Sequence, residues 1–387
     1  MPSSRLIILD PGLANPHGHH ALIYRELAQT QQPITVYAHH DFIASELVTD
    51  DADINVNHGF SAPFYRLLNP TLAFNKKKQT EHQLAREYRQ CFKEVSQQTT
   101  TGAVVLHSLG LSHLTAVYHA LKQLKPVERP KTLVLTLLYR WPRHQDWIVK
   151  FILSAMLSDQ HPVTSCRIYV ADAELQQHLA ELGIKVLLHP CCAIPASTYS
   201  QTFDRKENRT NSVIAYLGDA KHEKGFTTLP EQLKQWVKQA PETEFVVHYT
   251  LTGKDPALKD TDQQLQQLAN SHKQIRLLNY WLDNDAMVGL VANTACLVLN
   301  YKPPEYSNKS SGFLWLAALL GTSVVINNRT WLAREASRLN LTAYDMARFK
   351  PALLTNAVAN QAAQKPTNYR KALFRPFNQW LLKLNDD

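Results

Sequence analysis

Short apolar runs alternate with longer amphipathic stretches along the whole chain, the pattern of parallel strands joined by crossover helices. In the first half the runs at 6–9, 34–38, 104–106, 133–138, 168–171 and 186–188 predict strands. In the second half the runs at 213–217, 245–249, 275–278, 297–299 and 324–326 do the same. Between the two sets the segment from Pro195 to Asn211 is polar and aperiodic, and reads as a linker. The expected organisation is an N-terminal α/β domain over 1–195, a linker over 196–211, a second α/β domain over 212–345, and C-terminal helices over 346–387. Open parallel sheets bind ligands outside the carboxyl ends of their strands, so two doubly wound domains facing a cleft would line it with strand ends from both. Neither a solenoid-period repeat nor a low-complexity tract interrupts the pattern.

Composition narrows the class. A chain of 387 residues with 44% hydrophobic content is long enough for two separate cores. Leu6 to Leu9 is too short for a secretory signal and Asp10 follows it. No run reaches the ~18–20 apolar residues of a membrane span. The five cysteines, with Cys191 and Cys192 adjacent, make neither a disulfide framework nor a zinc ligand set. A cytoplasmic setting is therefore expected.

The net charge of +8 is unevenly placed, with seven Lys/Arg against two Asp in residues 346–387. Basic residues interleave with bulky aromatics in three places, as interfacial segments do. These are Tyr369 to Lys383, Phe60 to Leu68 with Lys76–Lys77–Lys78 beyond, and the helical stripe Trp147, Ile148, Phe151, Ile152 and Ala155 beside Arg140, Arg143 and Lys150. They predict peripheral contact with an anionic membrane surface. The plain alternative is core beneath a solvated basic face. No recognisable nucleic-acid motif is present, and none is expected as partner.

The densest chemistry lies at Ala215–Tyr–Leu–Gly–Asp–Ala–Lys–His–Glu–Lys–Gly225, and about ninety residues on at Ser310–Ser311–Gly312. Each follows a predicted strand. A strand ending in a glycine turn beside a lysine offers backbone N–H groups and a cation together, which suits an anionic diphosphate. These residues resemble the donor-binding half of GT-B glycosyltransferases, nearest to the large retaining family 4. Gly218, Glu223, Lys224 and Gly225 match that pattern in order and spacing. The family's turn arginine is Asp219 here, with Lys221 placed to substitute. The family's glutamate pair, anchored on Gly321, falls on Asn308 and Leu316, with Glu305 the nearby substitute for the first.

The resemblance implies two Rossmann-like domains of GT-B architecture and a hexosyl transfer that retains configuration. The donor is a nucleotide-diphosphate sugar, and the acceptor is lipid-linked or a polysaccharide in bacterial envelope synthesis. The enzyme would be cytoplasmic, against the inner membrane. No cofactor beyond the donor and no metal are implied. The donor phosphates would meet Gly218, Lys221, Lys224, Gly225, Ser310, Ser311 and Gly312, and Glu305 a sugar hydroxyl. Tyr280 and Trp281 end the run at 275–278, which leaves two readings: one of them lies against the base, or both serve packing.

The loop after the first strand supplies Gly12, His17, Gly18 and His20 for the acceptor. His19 and His107, with Glu305, are the catalytic candidates. A metal reading of the histidine trio at 17–20 lacks a carboxylate or a distant His pair in the sequence. Asp51 and Asp53, and Asp283 and Asp285, form Asp-x-Asp triplets, of which Asp283 reads as a helix N-cap. If the reaction inverted, a histidine or aspartate would have to deprotonate the acceptor. Two rivals remain: a sugar-nucleotide epimerase, and a non-catalytic GT-B-like glycan binder or scaffold.

Overall fold

The computed structural model describes residues 5–16, 18–28, 33–44, 54–69, 71–98, 101–158, 165–191, 194, 213–356 and 367–386. His17, Asp51, Asp53 and the linker expected at 196–211 lie outside them. Every predicted apolar run is a strand. The first sheet contains β1 (Arg5–Leu9), β2 (Ile34–His39), β3 (Ile54–Phe60), β4 (Thr101–Leu109), β5 (Thr132–Leu137), β6 (Ser165–Val170) and β7 (Leu187–Leu188). Its order is β3-β2-β1-β4-β5-β6-β7, with parallel pairing throughout. The second contains β8 (Val213–Asp219), β9 (Glu244–Thr250), β10 (Ile275–Leu278), β11 (Cys296–Leu299), β12 (Ser323–Ile326) and β13 (Ala343–Asp345). Its order is β10-β9-β8-β11-β12-β13, again parallel.

The runs are apolar at nearly every position because helices cover both faces of each sheet. The period of two then divides β1. Ile7 and Leu9 join one core, while Leu6 and Ile8 join another on the opposite face. The strands the pattern misses, β3 and β13, are sheet edges whose residues are mostly half-exposed, so burial does not demand an apolar run there.

The chain divides into two compact units, Met1–Cys192 with Arg375–Asp387, and Ala193–Phe374. In the first, α1 (Gly18–Ala28) covers one face, and α2 (Phe74–Ser96), α3 (Leu111–Lys122), α4 (Asp146–Leu157) and α5 (Ala173–Glu181) the other. The second unit has α6 (Leu229–Gln239), α7 (Pro256–Ser271), α8 (Asn284–Ala292), α9 (Gly312–Leu320), α10 (Trp331–Arg338) and α11 (Asn368–Leu373). Side chains start several helices: Asp172 accepts from Leu175 N at 2.8 Å, and Asp283 accepts from Ala286 N at 2.8 Å. Asp283 is thus the N-cap its sequence suggests. The last helix, α12 (Phe377–Asp386), belongs to the first unit. Its Phe377, Trp380, Leu381 and Leu384 are buried with Ile23, Tyr24 and Tyr169.

That burial corrects part of the interfacial reading. Of the tail aromatics Phe377 and Trp380 are core residues, while Tyr369 and Phe374 are half-buried; Phe60, Phe64 and Leu67 are core as well. On α4, Ile152 is buried while Trp147 and Phe151 remain 70% and 59% exposed. Arg140 is drawn into ion pairs with Asp172 at 2.7 Å and Glu174 at 3.1 Å. Among the described residues, no helix is long and apolar enough to cross a membrane.

Candidate functional site

In both sheets the strand order reverses beside the first strand, between β1 and β4 and between β8 and β11. Ligands of doubly wound sheets bind at such switch points. Most of the sequence candidates gather at these two places.

In the second unit β8 ends at Gly218 and Asp219. Gly218 has φ +138°, and a Cβ there would lie 3.4 Å from Lys224 Nζ and 3.7 Å from the Phe313 ring. Glycine thus lets the lysine and the first turn of α9 close over the strand end. Lys224 sits in a tight turn, His222–Lys224, and the α-helix begins only at Leu229. Gly225 turns left-handed at φ +74°, and Pro230 sits in the first turn of α6. A Cβ on Gly225 would come 2.1 Å from the Asn300 carbonyl oxygen, so this glycine serves close packing of the turn against the exit of β11. The Lys302 N–H donates to the Glu223 carbonyl at 2.8 Å and ties the two segments together.

Asp219 organises the charges. Its Oδ2 accepts from Lys224 Nζ at 3.0 Å and lies 3.1 Å from Lys221 Nζ, while Thr250 Oγ1 donates to Oδ1 at 3.3 Å. Burial would raise this carboxyl, but the Lys224 and Lys221 ammonium groups outweigh it and hold it at about 2. Both lysines therefore face an internal carboxylate.

Ser311 is the N-cap residue of α9, yet its side chain does not cap the helix. Its hydroxyl meets Tyr301 instead; burial pushes the Tyr301 phenol up to about 12, eased by that bond. The first turn of α9 keeps its N–H groups without a side-chain cap. Ser310 is exposed, and Gly312 opens the helix.

Glu305 is exposed on a turn, and among the described residues its carboxylate meets no hydrogen-bond or ion-pair partner. Leu316, where the family pattern carries its second glutamate, is buried in the core. Tyr280 and Trp281 are exposed beyond β10, two strands from β8 in the sheet order, and His248 of β9 bonds the Tyr280 carbonyl at 3.0 Å.

In the first unit β1 is followed directly by Asp10, a residue the sequence marks only as the end of an apolar run. Its two carboxylate oxygens lie 2.7 Å and 2.9 Å from His20 Nδ1, and Gly12 N donates to Oδ1 at 3.0 Å. The space above Gly12 is filled by the His20 ring, 2.2 Å from an imagined Cβ, so Gly12 makes room for a side chain and not for an acceptor. Gly18, at φ +79°, has open space around it. His107 is fully buried near the end of β4, and Ser108 beside it is left-handed at φ +65°. That conformation is strained for a serine. Ser108 Oγ lies 3.2 Å from His19 Nε2, and Tyr139 OH 3.4 Å from the same nitrogen.

The ring centroids of His19 and His20 are 4.1 Å apart, His20 and His107 5.6 Å, and His19 and His107 6.0 Å. Burial, reinforced by His20, depresses His19 to about 3 and holds His107 well below the ordinary histidine range. This keeps the His19 and His107 rings neutral at pH 7 and makes them weak proton acceptors. Among the described residues His20 Nε2 and His107 Nε2 are buried without a hydrogen-bond partner. Asp10 and Tyr139 are the participants the sequence reading missed. A polar residue closing the first strand of a doubly wound sheet was the available signal for Asp10.

No protein-family profile matches the chain. No curated protein sequence matches it either. Solved structures do. A UDP-forming α,α-trehalose-phosphate synthase from Burkholderia xenovorans aligns with TM-score 0.59 and 12% identity over 99% of each chain. Alr3699/HepE from Anabaena, in complex with UDP, aligns with TM-score 0.56 and 15% identity over 99% of this chain and 96% of the other. A proposed UDP-N-acetylglucosamine 2-epimerase from Listeria monocytogenes aligns with TM-score 0.58 and 10% identity over 99% and 96%. At such identities the likeness speaks for architecture alone: the chain has the GT-B fold, built from a seven-stranded and a six-stranded parallel sheet.

Proposed function

We propose that the chain is a glycosyltransferase that takes a sugar from a nucleotide diphosphate, with UDP the nucleotide suggested by the structures it resembles. One observation carries the reading. At the switch point of the second sheet Lys221 and Lys224 converge on one point, 3.1 Å and 3.0 Å from Asp219 Oδ2, beside the uncapped first turn of α9. A diphosphate arriving there would displace Asp219 as the partner of both lysines. As the glycosidic bond breaks, negative charge grows on the departing phosphate, and the lysines with the α9 N–H groups would neutralise it. Stabilisation by fixed cations needs no bridging metal on the diphosphate. Retention of configuration, as in the resembled family 4, requires no protein base, and the neutral His19 and His107 suit hydrogen bonding to hydroxyls better than proton abstraction.

A hexose-type donor, a lipid-linked or polysaccharide acceptor and a place in bacterial envelope synthesis complete the proposal, all resting on the resemblance to family 4. An anionic membrane surface would meet Trp147 and Phe151 with Lys150 beside them. The test is release of free UDP from UDP-sugars with candidate acceptors. Leu316 in place of a glutamate and Asp219 in place of an arginine favour a second reading, a GT-B-like binder without catalysis. UDP binding with no release under any acceptor would select it. Interconversion of sugar nucleotides without release would select an epimerase.

A further inference from the structure

We infer that His19, His20 and His107 form a binding site for a divalent transition-metal ion of the Zn²⁺ type, with Asp10 as the carboxylate that positions His20. One ring nitrogen of each histidine lies within 4.8 Å of the others. Three imidazoles on a tetrahedral ion, each ~2.0–2.1 Å from it, need nitrogens roughly 3.4 Å apart, a small inward movement from this arrangement. Asp10 holds His20 by Nδ1 at 2.7 Å and 2.9 Å, which leaves the lone pair of Nε2 as the ligand. A carboxylate behind a histidine is the usual support of a metal-bound imidazole. Among the described residues His20 Nε2 and His107 Nε2 are buried with no partner, an unfavourable state for two polar atoms that an ion would relieve.

The chemistry of the cluster selects the ligand. Nitrogen donors suit zinc, copper or nickel better than calcium or magnesium. The ligands stand on the end of β4 and the first turn of α1, both anchored in the sheet core. Three protein ligands leave a fourth position open. Ser108 Oγ and Tyr139 OH, 3.2 Å and 3.4 Å from His19 Nε2, are the groups available to hold a water or a substrate oxygen there. Among the described residues a second cluster of possible ligands, His39, His40 and Asp41, is mostly exposed, and each of its histidines already meets the aspartate. The inference goes beyond the transferase reading and does not need it, because binding of the metal alone is what would be measured.

The full chain is stripped with EDTA, dialysed and titrated with Zn²⁺ against a chromophoric chelator, with metal content measured by mass spectrometry and Co²⁺ absorption reporting the geometry. The expected result is one ion per chain and a tetrahedral Co²⁺ spectrum. Asp10→Asn should weaken Zn²⁺ binding roughly 10- to 100-fold, the effect of losing such a support. His19→Ala and His107→Ala should weaken it further, and a His39→Ala/His40→Ala variant should bind as the parent does. His19 is only partly buried, so its variant remains informative if the His107 or Asp10 variants fail to fold. UDP affinity of the parent should be the same with and without EDTA. Absence of stoichiometric binding by the parent overturns the inference, and so does parental affinity in His19→Ala or loss confined to the His39→Ala/His40→Ala variant.

Discussion

Asp219 and Lys224 should change UDP affinity in opposite directions. Without ligand, Lys224 Nζ lies 3.0 Å and Lys221 Nζ 3.1 Å from Asp219 Oδ2. An incoming phosphate loses the help of whichever lysine Asp219 retains, and is repelled by the carboxylate itself. Lys224→Met removes a charge-assisted hydrogen bond from the bound state, about 1.5–3 kcal/mol, and should raise the Kd for UDP roughly 10- to 150-fold. Asp219→Asn frees both lysines and removes a like charge. Two unit charges about 5 Å apart repel by about 3 kcal/mol at an effective dielectric of about 20. The Asp219 side chain is 41% exposed, so solvent screening reduces this to about 1 kcal/mol, a roughly fivefold tighter Kd. Isothermal calorimetry at fixed, low ionic strength measures both variants and the double variant, with near-ultraviolet circular dichroism checking the fold. Weaker binding in Asp219→Asn would mean that the carboxylate itself serves the ligand, and the reasoning would be wrong. An unchanged Kd in Lys224→Met would remove the diphosphate from this turn altogether.

Acid should destabilise the protein well above the carboxylate range. Burial holds His113 and His189 at about 3, against about 6.5 in an unfolded chain. The unfolded state therefore binds more protons, so stability is complete above pH ~6.5 and falls towards pH ~3, by about 1 kcal/mol per histidine at pH 5.5. Urea midpoints that coincide at pH 7.5 and 5.5 would contradict buried neutral rings. Gly225→Ala should cost about 2–4 kcal/mol, from left-handed strain plus overpacking against the Asn300 carbonyl. Gly18→Ala, left-handed but in open space, should cost about 1 kcal/mol, and equal losses in urea titrations would refute that distinction. Sedimentation with anionic liposomes at low salt should be reversed by added salt and reduced in Trp147→Ser/Phe151→Ser. Binding that ignores both changes would place any membrane contact elsewhere.

Much of the architecture was legible in the chain itself. In a sheet covered on both faces each strand must be apolar throughout, and β1, β5, β8 and β12 are visible for that reason. The β8 turn was legible too, because a glycine turn beside lysines is local backbone and charge chemistry. The edge strand β3 was not, since half-exposed positions tolerate asparagine and histidine. Nor was the destination of the tail: Trp380 reads equally as interfacial or core until its ring meets Tyr169 at 5.2 Å. The individual partners were further out of reach. Ser311 reads as a helix cap, and only the approach of Tyr301 redirects its hydroxyl. Asp219 reads as a substitution in a phosphate turn, and only the folded turn brings two lysines onto it. Asp10, His20 and His107 are brought together by pairing β1 with β4, in which Leu9 lies opposite Leu106. Hydrophobic period and turn chemistry act over a few residues and are written locally. Strand order and register act across a hundred residues, and they decided which of the polar side chains meet.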